Sequence, residues 1–283
     1  MSNHFPFYQI GDFKITAIND GDMTSSLDLL SGIERNDAEL IQHYSGIDES
    51  DDIHINCYLI QGNGRVILVD TGIGQGNSMA GKLKENLASV GISSNDIDTI
   101  LLTHCHPDHI GGLLDAENRR VFNVADIVLH PLEAQHWLDD EKFTLADERG
   151  KRNFRLVRQT LEAYAGKVSF FNGENIAEAI IPVWLPGHTP GHTGFLIKSE
   201  CTSLLIWGDI VHYPHIQLAQ PTVSILFDND PVQAKETRMK ILEHAVNEKL
   251  IIAGMHLGQR GFSFIHKEEN GYCIAYINSL INL

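Results

Sequence analysis

At 283 residues and 43% hydrophobic content, the chain can bury one large core without needing a second, so residues 1–283 are expected to form one domain. The formal charge of −16 is offset by no basic block denser than the five Lys and Arg between Arg149 and Arg158, which argues against nucleic acid as a partner. Ordinary charge content with 24 Gly and only 9 Pro excludes collagen, coiled coil and extensive disorder.

The opening MSNHFPFYQIGDF lacks the basic segment and apolar run of a secretory signal, and no stretch reaches the roughly 18 apolar residues of a membrane span. A cytoplasmic location and no membrane partner are therefore expected. Strand patterns follow at Phe13–Ile18, Ile53–Ile60 and Arg65–Asp70, the last an apolar run ending on a carboxylate. TGIGQG reads as a turn, and Asn77–Val90 as a helix with Gly91 beyond its end as a C-cap. The buried strand Asp98–Thr103 runs directly into HCHPDH.

Asp126–His130 is a further strand, and Pro131–Tyr164 reads as mostly helical and charged. Strands return at Val168–Phe171, Ile180–Leu185, Gly194–Ile197, Ser203–Trp207, Leu250–Ala253, Phe262–His266 and Tyr272–Ile277. One helix interrupts them, capped by Asp230, with Pro231 in its first turn and Ile241, Leu242, Ala245 and Val246 as its apolar stripe. Strands at both ends with helices between them fit two sheets covered by helices, not a strictly alternating parallel fold. Cys57, Cys105, Cys201 and Cys273 are too scattered for a disulfide framework or a Cys-rich zinc site, and are expected reduced and mostly buried.

In His104-Cys105-His106-Pro107-Asp108-His109, alternation sends His104 and His106 to one side and Cys105 to the other. Pro107 stops the strand, so Asp108 and His109 fall where the chain turns into a helix, and one hexapeptide offers four N/O ligands. Such a set suits zinc, with iron, manganese or cobalt as alternatives. The bland reading has Asp108 capping the helix and the histidines on the surface. Three histidines and an aspartate within six residues, directly after a buried strand, argue against it.

His188 and His192 lie in PGHTPGH, where Pro186, Gly187, Pro190 and Gly191 forbid a stable helix and impose a loop. One of the two is expected as a metal ligand, and His192 as a hydrogen-bonding core histidine. Asp209 in WGDIVH and His256 in IIAGMHLG each end an apolar strand.

Together these motifs resemble the metallo-β-lactamase superfamily, whose pattern is HxHxDH, a later His, a bridging Asp and a last His. The VDTG signature matches at Val69–Gly72. The resemblance implies a four-layer αββα sandwich with two mixed sheets flanked by helices. It also implies two divalent metal ions, zinc first: His104, His106 and His188 on one, Asp108, His109 and His256 on the other, Asp209 bridging. Asp70 matches a position that supports the site from behind the ligands, although a strand-ending turn former would look the same.

GDIVHYPHIQLAQPTVSILFDNDPVQAKETR resembles the methyl parathion hydrolase-like branch, related to the N-acyl homoserine lactonases. Zinc β-lactamases often carry Cys where this chain has Asp209. Glyoxalase II enzymes add a helical C-terminal region, whereas only 27 residues follow His256 here and they read as strands. His106 stands where the flavodiiron branch usually has Glu. Many of the lactonases have Tyr three residues after the bridging Asp, and this chain has His212.

The implied function is a dinuclear hydrolase attacking a small ester or lactone with a metal-bridging hydroxide. Asp108 and Asp209 would be catalytic, and His212 would hydrogen-bond a substrate oxygen or an oxyanion unless it merely faces solvent or core. Tyr213, His215 and Phe227, with the Met23–Leu30 and Phe143–Arg155 loops, are candidates for the pocket wall. Alternatives are a phosphotriesterase, an iron-dependent oxygenase on the same scaffold, and a non-catalytic metal-binding protein. A homodimer is expected on the resemblance alone.

Overall fold

The computed structural model describes residues 5–47, 51–74, 79–171, 173–177 and 179–277. It begins with β1 (Phe7–Ile10), β2 (Phe13–Thr24), the short β3 (Leu30–Ser31), helix α1 (Arg35–Tyr44), β4 (Asp52–Gly62) and β5 (Arg65–Val69). Helix α2 (Leu83–Ser89), β6 (Thr99–Leu101), the one-turn α3 (Pro107–Ile110) and β7 (Asp126–Leu129) follow. Helices α4 (Pro131–Trp137), α5 (Asp140–Leu145) and α6 (Glu148–Ala163) then lead to β8 (Val168–Phe170). The second half contains β9 (Ile180–Trp184), β10 (Thr193–Lys198), β11 (Ser203–Ile206), α7 (Pro214–Ala219) and β12 (Ser224–Ile225). Helix α8 (Pro231–Asn247), β13 (Ile251–Ala253), β14 (Phe262–Glu268) and β15 (Gly271–Tyr276) complete it.

Two mixed sheets result, of order β1-β2-β4-β5-β6-β7-β8 and β15-β14-β13-β11-β10-β9, with β3 and β12 forming a separate two-stranded ribbon. Period-2 alternation sorts the apolar residues into layers. Tyr58, Ile60, Ile67 and Val69 face the other sheet and pack with Phe195, Leu204, Ile206 and Ile251. Their neighbours Leu59 and Leu68 point the opposite way, onto Leu83 and Leu87 of α2 and Phe154 and Val157 of α6. Leu205 and Ile252 likewise turn outward onto Ile241, Leu242 and Ala245 of α8. The sandwich is therefore αββα, as expected. Fully burying a Leu or Ile stabilises by about 1.5–3 kcal/mol, so these layers supply most of the driving force.

The second helix is shorter than the expected Asn77–Val90. Residues 77 and 78 lie outside the described residues, and Gly81 has φ of 86°, which an α-helix cannot contain. The helix starts only after Asp20 has taken the N–H groups of Gly81 and Leu83 at 3.2 and 2.8 Å. A bulge between Asn19 and Gly21 in the β2–β4 pairing accompanies this turn of Asp20 toward the loop. Gly91 does follow the helix with φ of 80° as a C-cap, and Asp230 caps α8 through the N–H of Gln233.

Strand β1 and helices α1 and α7 carry too few periodic apolar residues to be read from sequence. The expected Phe143–Arg155 loop is instead the junction of α5 and α6. All four cysteines are free, but Cys201 is exposed and Cys273 only partly buried, unlike Cys57 and Cys105. Among the described residues no helix is long and apolar enough to cross a membrane.

Candidate metal centre

Strands β5 and β6 are parallel, as are β11 and β13, so their C-terminal ends share an edge within each sheet. Asp70, Thr103 and His104 leave the first edge, and Asp209 and His256 the second. The loop between β9 and β10 comes to the same place, because the N–H of Thr193 donates to the carbonyl of Thr103 at 2.9 Å.

The hexapeptide behaves as its alternation predicts. Cys105 packs into the core with Ile110 and Leu113, while His104 and His106 turn toward the centre. Nδ1 of His106 lies 3.0 Å from Nε2 of His104 and 3.0 Å from Nε2 of His188. Pro107 opens α3, and Asp108 and His109 ride on that turn. Nε2 of His109 is 3.5 Å from Oδ2 of Asp108 and 3.2 Å from Oδ2 of Asp209.

Four of the imidazoles are aimed by what holds their rear nitrogen. Nδ1–H of His109 donates to Asp70 at 2.7 Å, that of His188 to Asp228 at 2.9 Å, and that of His256 to the His54 carbonyl at 2.7 Å. His104 Nδ1 is 3.1 Å from the Thr103 hydroxyl, which itself donates to Asp70 at 2.6 Å. Each arrangement fixes the tautomer that leaves Nε2 as the inward lone pair. His106 differs in presenting Nδ1.

Asp209 is the hub. Its Oδ2 lies 3.8 Å from Nε2 of His104, 3.4 Å from that of His188, 3.3 Å from that of His256 and 3.2 Å from that of His212. Its Oδ1 is buried and accepts no hydrogen bond from a described residue. Gly208 makes this approach feasible: its φ is 61°, and a Cβ there would fall 2.4 Å from Nε2 of His192. His192 is no part of the cluster. Its Nε2 accepts the backbone N–H of Asp209 at 2.9 Å and its Nδ1 donates to the Leu185 carbonyl at 2.9 Å, the core role expected for it.

The donor set fits divalent cations. His104, His106 and His188 form one group, and Asp108, His109, Asp209 and His256 another, each with its ligand atoms within 4.8 Å of one another. Tetrahedral zinc with ligands at about 2.0–2.1 Å would space them by roughly 3.3 Å, close to the separations found. His188, Asp209 and His212 make a third such group, so His212 also offers a nitrogen, which the sequence did not suggest.

Electrostatics point the same way. Burial opposes a charged His188, but Asp209 and Asp228 outweigh it and raise the imidazole to about 9. His109 and His256 are raised too, where the carboxylates, Asp209 foremost, overcome burial. Burial first, then neighbouring imidazoles, keeps His104 and His106 neutral. The cluster thus holds protons where a cation would displace them. Burial also leaves His212 neutral despite Asp209 beside it.

A cavity of about 420 Å³ opens on the centre, with His106, Asp108, Asp209 and His212 in its wall beside Trp137, Phe154 and Phe227. A second, of about 480 Å³, meets it from the side of His212 and His256. Of the aromatic candidates, Phe227 lines the first cavity, and Tyr213 and His215 the second. Tyr213 is otherwise a core residue whose hydroxyl donates to the Ser25 carbonyl. From the expected loops, Met23 and the 147–154 stretch reach the first cavity.

Sequence reasoning missed Asp20, Thr103, Asp228 and Arg238. Buried Arg238 donates to the carbonyls of Ile210 and Val223 at 2.7 and 2.6 Å and lies 3.7 Å from Asp228, bracing the segment that carries His212. A lone Arg in an apolar helix stripe was the one available signal.

The model of the family described as the metallo-beta-lactamase superfamily matches residues 51–256. AidC, described as a dizinc quorum-quenching lactonase in complex with a product N-hexanoyl-L-homoserine, is similar with a TM-score of 0.90 and 26% identity, covering 97% of each chain. The hydrolase AbOPH of the beta-lactamase superfamily is similar with a TM-score of 0.88 and 29% identity, again over 97% of each chain. An N-acyl homoserine lactonase of Bacillus cereus is 23% identical over 216 residues, 69% of this chain and 78% of its own length. With its fold, ligand order and family match in agreement, the chain belongs to the metallo-β-lactamase superfamily of metal-dependent hydrolases.

Proposed function

We propose that this protein is a dinuclear hydrolase that opens a small neutral ester, an N-acyl homoserine lactone first. The observation that carries the reading is the convergence of five imidazoles on Oδ2 of Asp209 at the floor of an aromatic-walled cavity. In this reading His104, His106 and His188 would hold one zinc ion and Asp108, His109 and His256 the other, with Asp209 available to both. Such ions, when bound, supply hydroxide near neutral pH and polarise the bond under attack.

The chain's own groups do the rest. Asp108 turns Oδ2 toward His109 and His256, at 3.5 and 3.7 Å, leaving Oδ1 to take the proton of the attacking oxygen and pass it to the departing alcohol oxygen as the ester C–O bond breaks. His212 is neutral and buried beside Asp209, and Nδ1 finds no partner among the described residues. Its single N–H is on Nε2, aimed at Oδ2 of Asp209 at 3.2 Å, and would turn to a substrate oxygen as charge develops there if a metal ion engaged that carboxylate instead. Trp137, Phe154 and Phe227 hold the acyl portion and exclude water, within a volume in the usual roughly 300–1,000 Å³ range of small-molecule sites. The relatives named as lactonases favour a lactone over other esters.

Steady-state kinetics on N-hexanoyl homoserine lactone, an aryl ester and a phosphotriester test this reading. The highest kcat/KM is expected on the lactone. A phosphotriester turned over faster by a hundredfold or more would move the assignment to the phosphotriesterase branch.

A further inference from the structure

Glu133, in the first turn of α4, is fully buried, and every contact of its carboxylate is one in which it accepts. Oε2 takes the backbone N–H of Cys105 at 3.0 Å and the indole N–H of Trp137 at 3.0 Å. Oε1 takes the backbone N–H of Gly191 at 3.0 Å and the hydroxyl of Thr189. The site is built to admit it, since a Cβ at Gly191 would fall 2.7 Å from the backbone nitrogen of Glu133 and 2.9 Å from its Cγ. The second glycine of PGHTPGH therefore serves this carboxylate.

What it joins is specific. Cys105 lies between His104 and His106, Thr189 follows His188, and Trp137 sets its ring at 76° to that of His106 with centroids 5.8 Å apart. All three imidazoles of one proposed ion are thus tied to a single side chain, across 28 residues on one oxygen and 56 and 58 on the other. In the Asp108, His109 and His256 group, His109 is held by Asp70, which also reaches His104 through the Thr103 hydroxyl, and His256 by the His54 carbonyl, neither of them through Glu133. Four donors fit an ionised, acceptor-only group. No Lys or Arg is among those donors, so such a buried charge gains from a cation held nearby.

We propose that Glu133 is the positioning residue for the His104, His106 and His188 group, clamping the HxH turn to the PGHTPGH loop at the spacing one metal ion requires. The proposal rests on the dinuclear reading above. Glu133→Gln keeps the shape but turns an NH2 toward two of the donors, and Thr189→Val removes one donor alone.

The test challenges zinc-loaded protein with increasing concentrations of a chromophoric chelator, counting retained zinc per chain while circular dichroism follows the fold. Wild type should release its two ions in one narrow range. Glu133→Gln should release one ion at roughly 10- to 100-fold lower chelator concentration, with the second ion and the fold unchanged. Thr189→Val should show the same one-site effect at roughly three- to tenfold, and carries the test if Glu133→Gln does not fold. Release curves identical to wild type, or both ions loosened equally, would overturn the clamp while leaving the dinuclear reading intact. Fewer than two ions on wild type would overturn both.

Discussion

Oδ2 of Asp70 accepts the Nδ1–H of His109 at 2.7 Å from a residue whose own backbone sits in the left-handed region, φ 58°. Oδ1 of the same carboxylate takes the backbone N–H of Thr103 at 2.8 Å, so one side chain registers the ends of β5 and β6 and aims an imidazole. Asn tolerates this backbone as well as Asp does. Asp70→Asn should therefore fold, yet bind metal at the His109 group roughly 10- to 100-fold more weakly. Zinc titration of the variant checks this; unchanged affinity would reduce Asp70 to a turn former.

His192 gives the opposite expectation. It holds the Asp209 backbone and contributes no atom to the cluster, so His192→Asn should cost about 1–3 kcal/mol by leaving the Asp209 N–H without an acceptor. Two metal ions should stay bound. Denaturant melts and metal analysis read both quantities, and loss of an ion would show that the wrong histidine of PGHTPGH had been assigned.

The same residue sets a pH dependence. Burial, aided by the charge of neighbouring His188, lowers His192 to about 3, against roughly 6.5 in the unfolded chain. Between those values the unfolded state binds the proton and the native state does not. Stability is therefore complete above about pH 6.5 and declines as pH falls toward 3, by about 1.4 kcal/mol per pH unit for this one group. Denaturant melts between pH 7 and 5 should show a slope in wild type that is smaller by one proton in His192→Asn.

His212 lies 3.2 Å from Asp209 and stacks on His256 with rings 23° apart. His212→Phe keeps the ring and removes the donor. Its kcat should fall roughly 10- to 100-fold with little change in KM and with both ions retained. A lost ion would instead make His212 a ligand, which its place beside His188 and Asp209 also permits.

The candidate ligands were legible because most sit just beyond a strand end or inside one hexapeptide, where period-2 alternation and Pro107 dictate direction, and His188 because prolines and glycines mark its loop. The supports were not. Glu133 meets Gly191, and Asp228 meets His188, across 58 and 40 residues, and nothing local distinguishes a buried Glu in a helix from a solvated one. Asp20 escaped notice because only the bulge in β2 brings it against the loop before α2. The start of that helix was misread for the same reason: apolar spacing continues upstream, but Gly81 and the Asp20 carboxylate dictate otherwise. Layer order, by contrast, follows from alternation in short runs such as LLI and ILV.

In the proposed centre Asp209 would join two metal ions into one hydrolytic unit. The most direct measurement is metal content per chain of protein purified without chelator, together with lactone hydrolysis, for wild type and Asp209→Asn. Two ions and chelator-sensitive turnover are expected in wild type, with at least one ion and nearly all turnover lost in the variant. One iron per chain without hydrolysis in wild type, or full activity with two ions in Asp209→Asn, would contradict this reading.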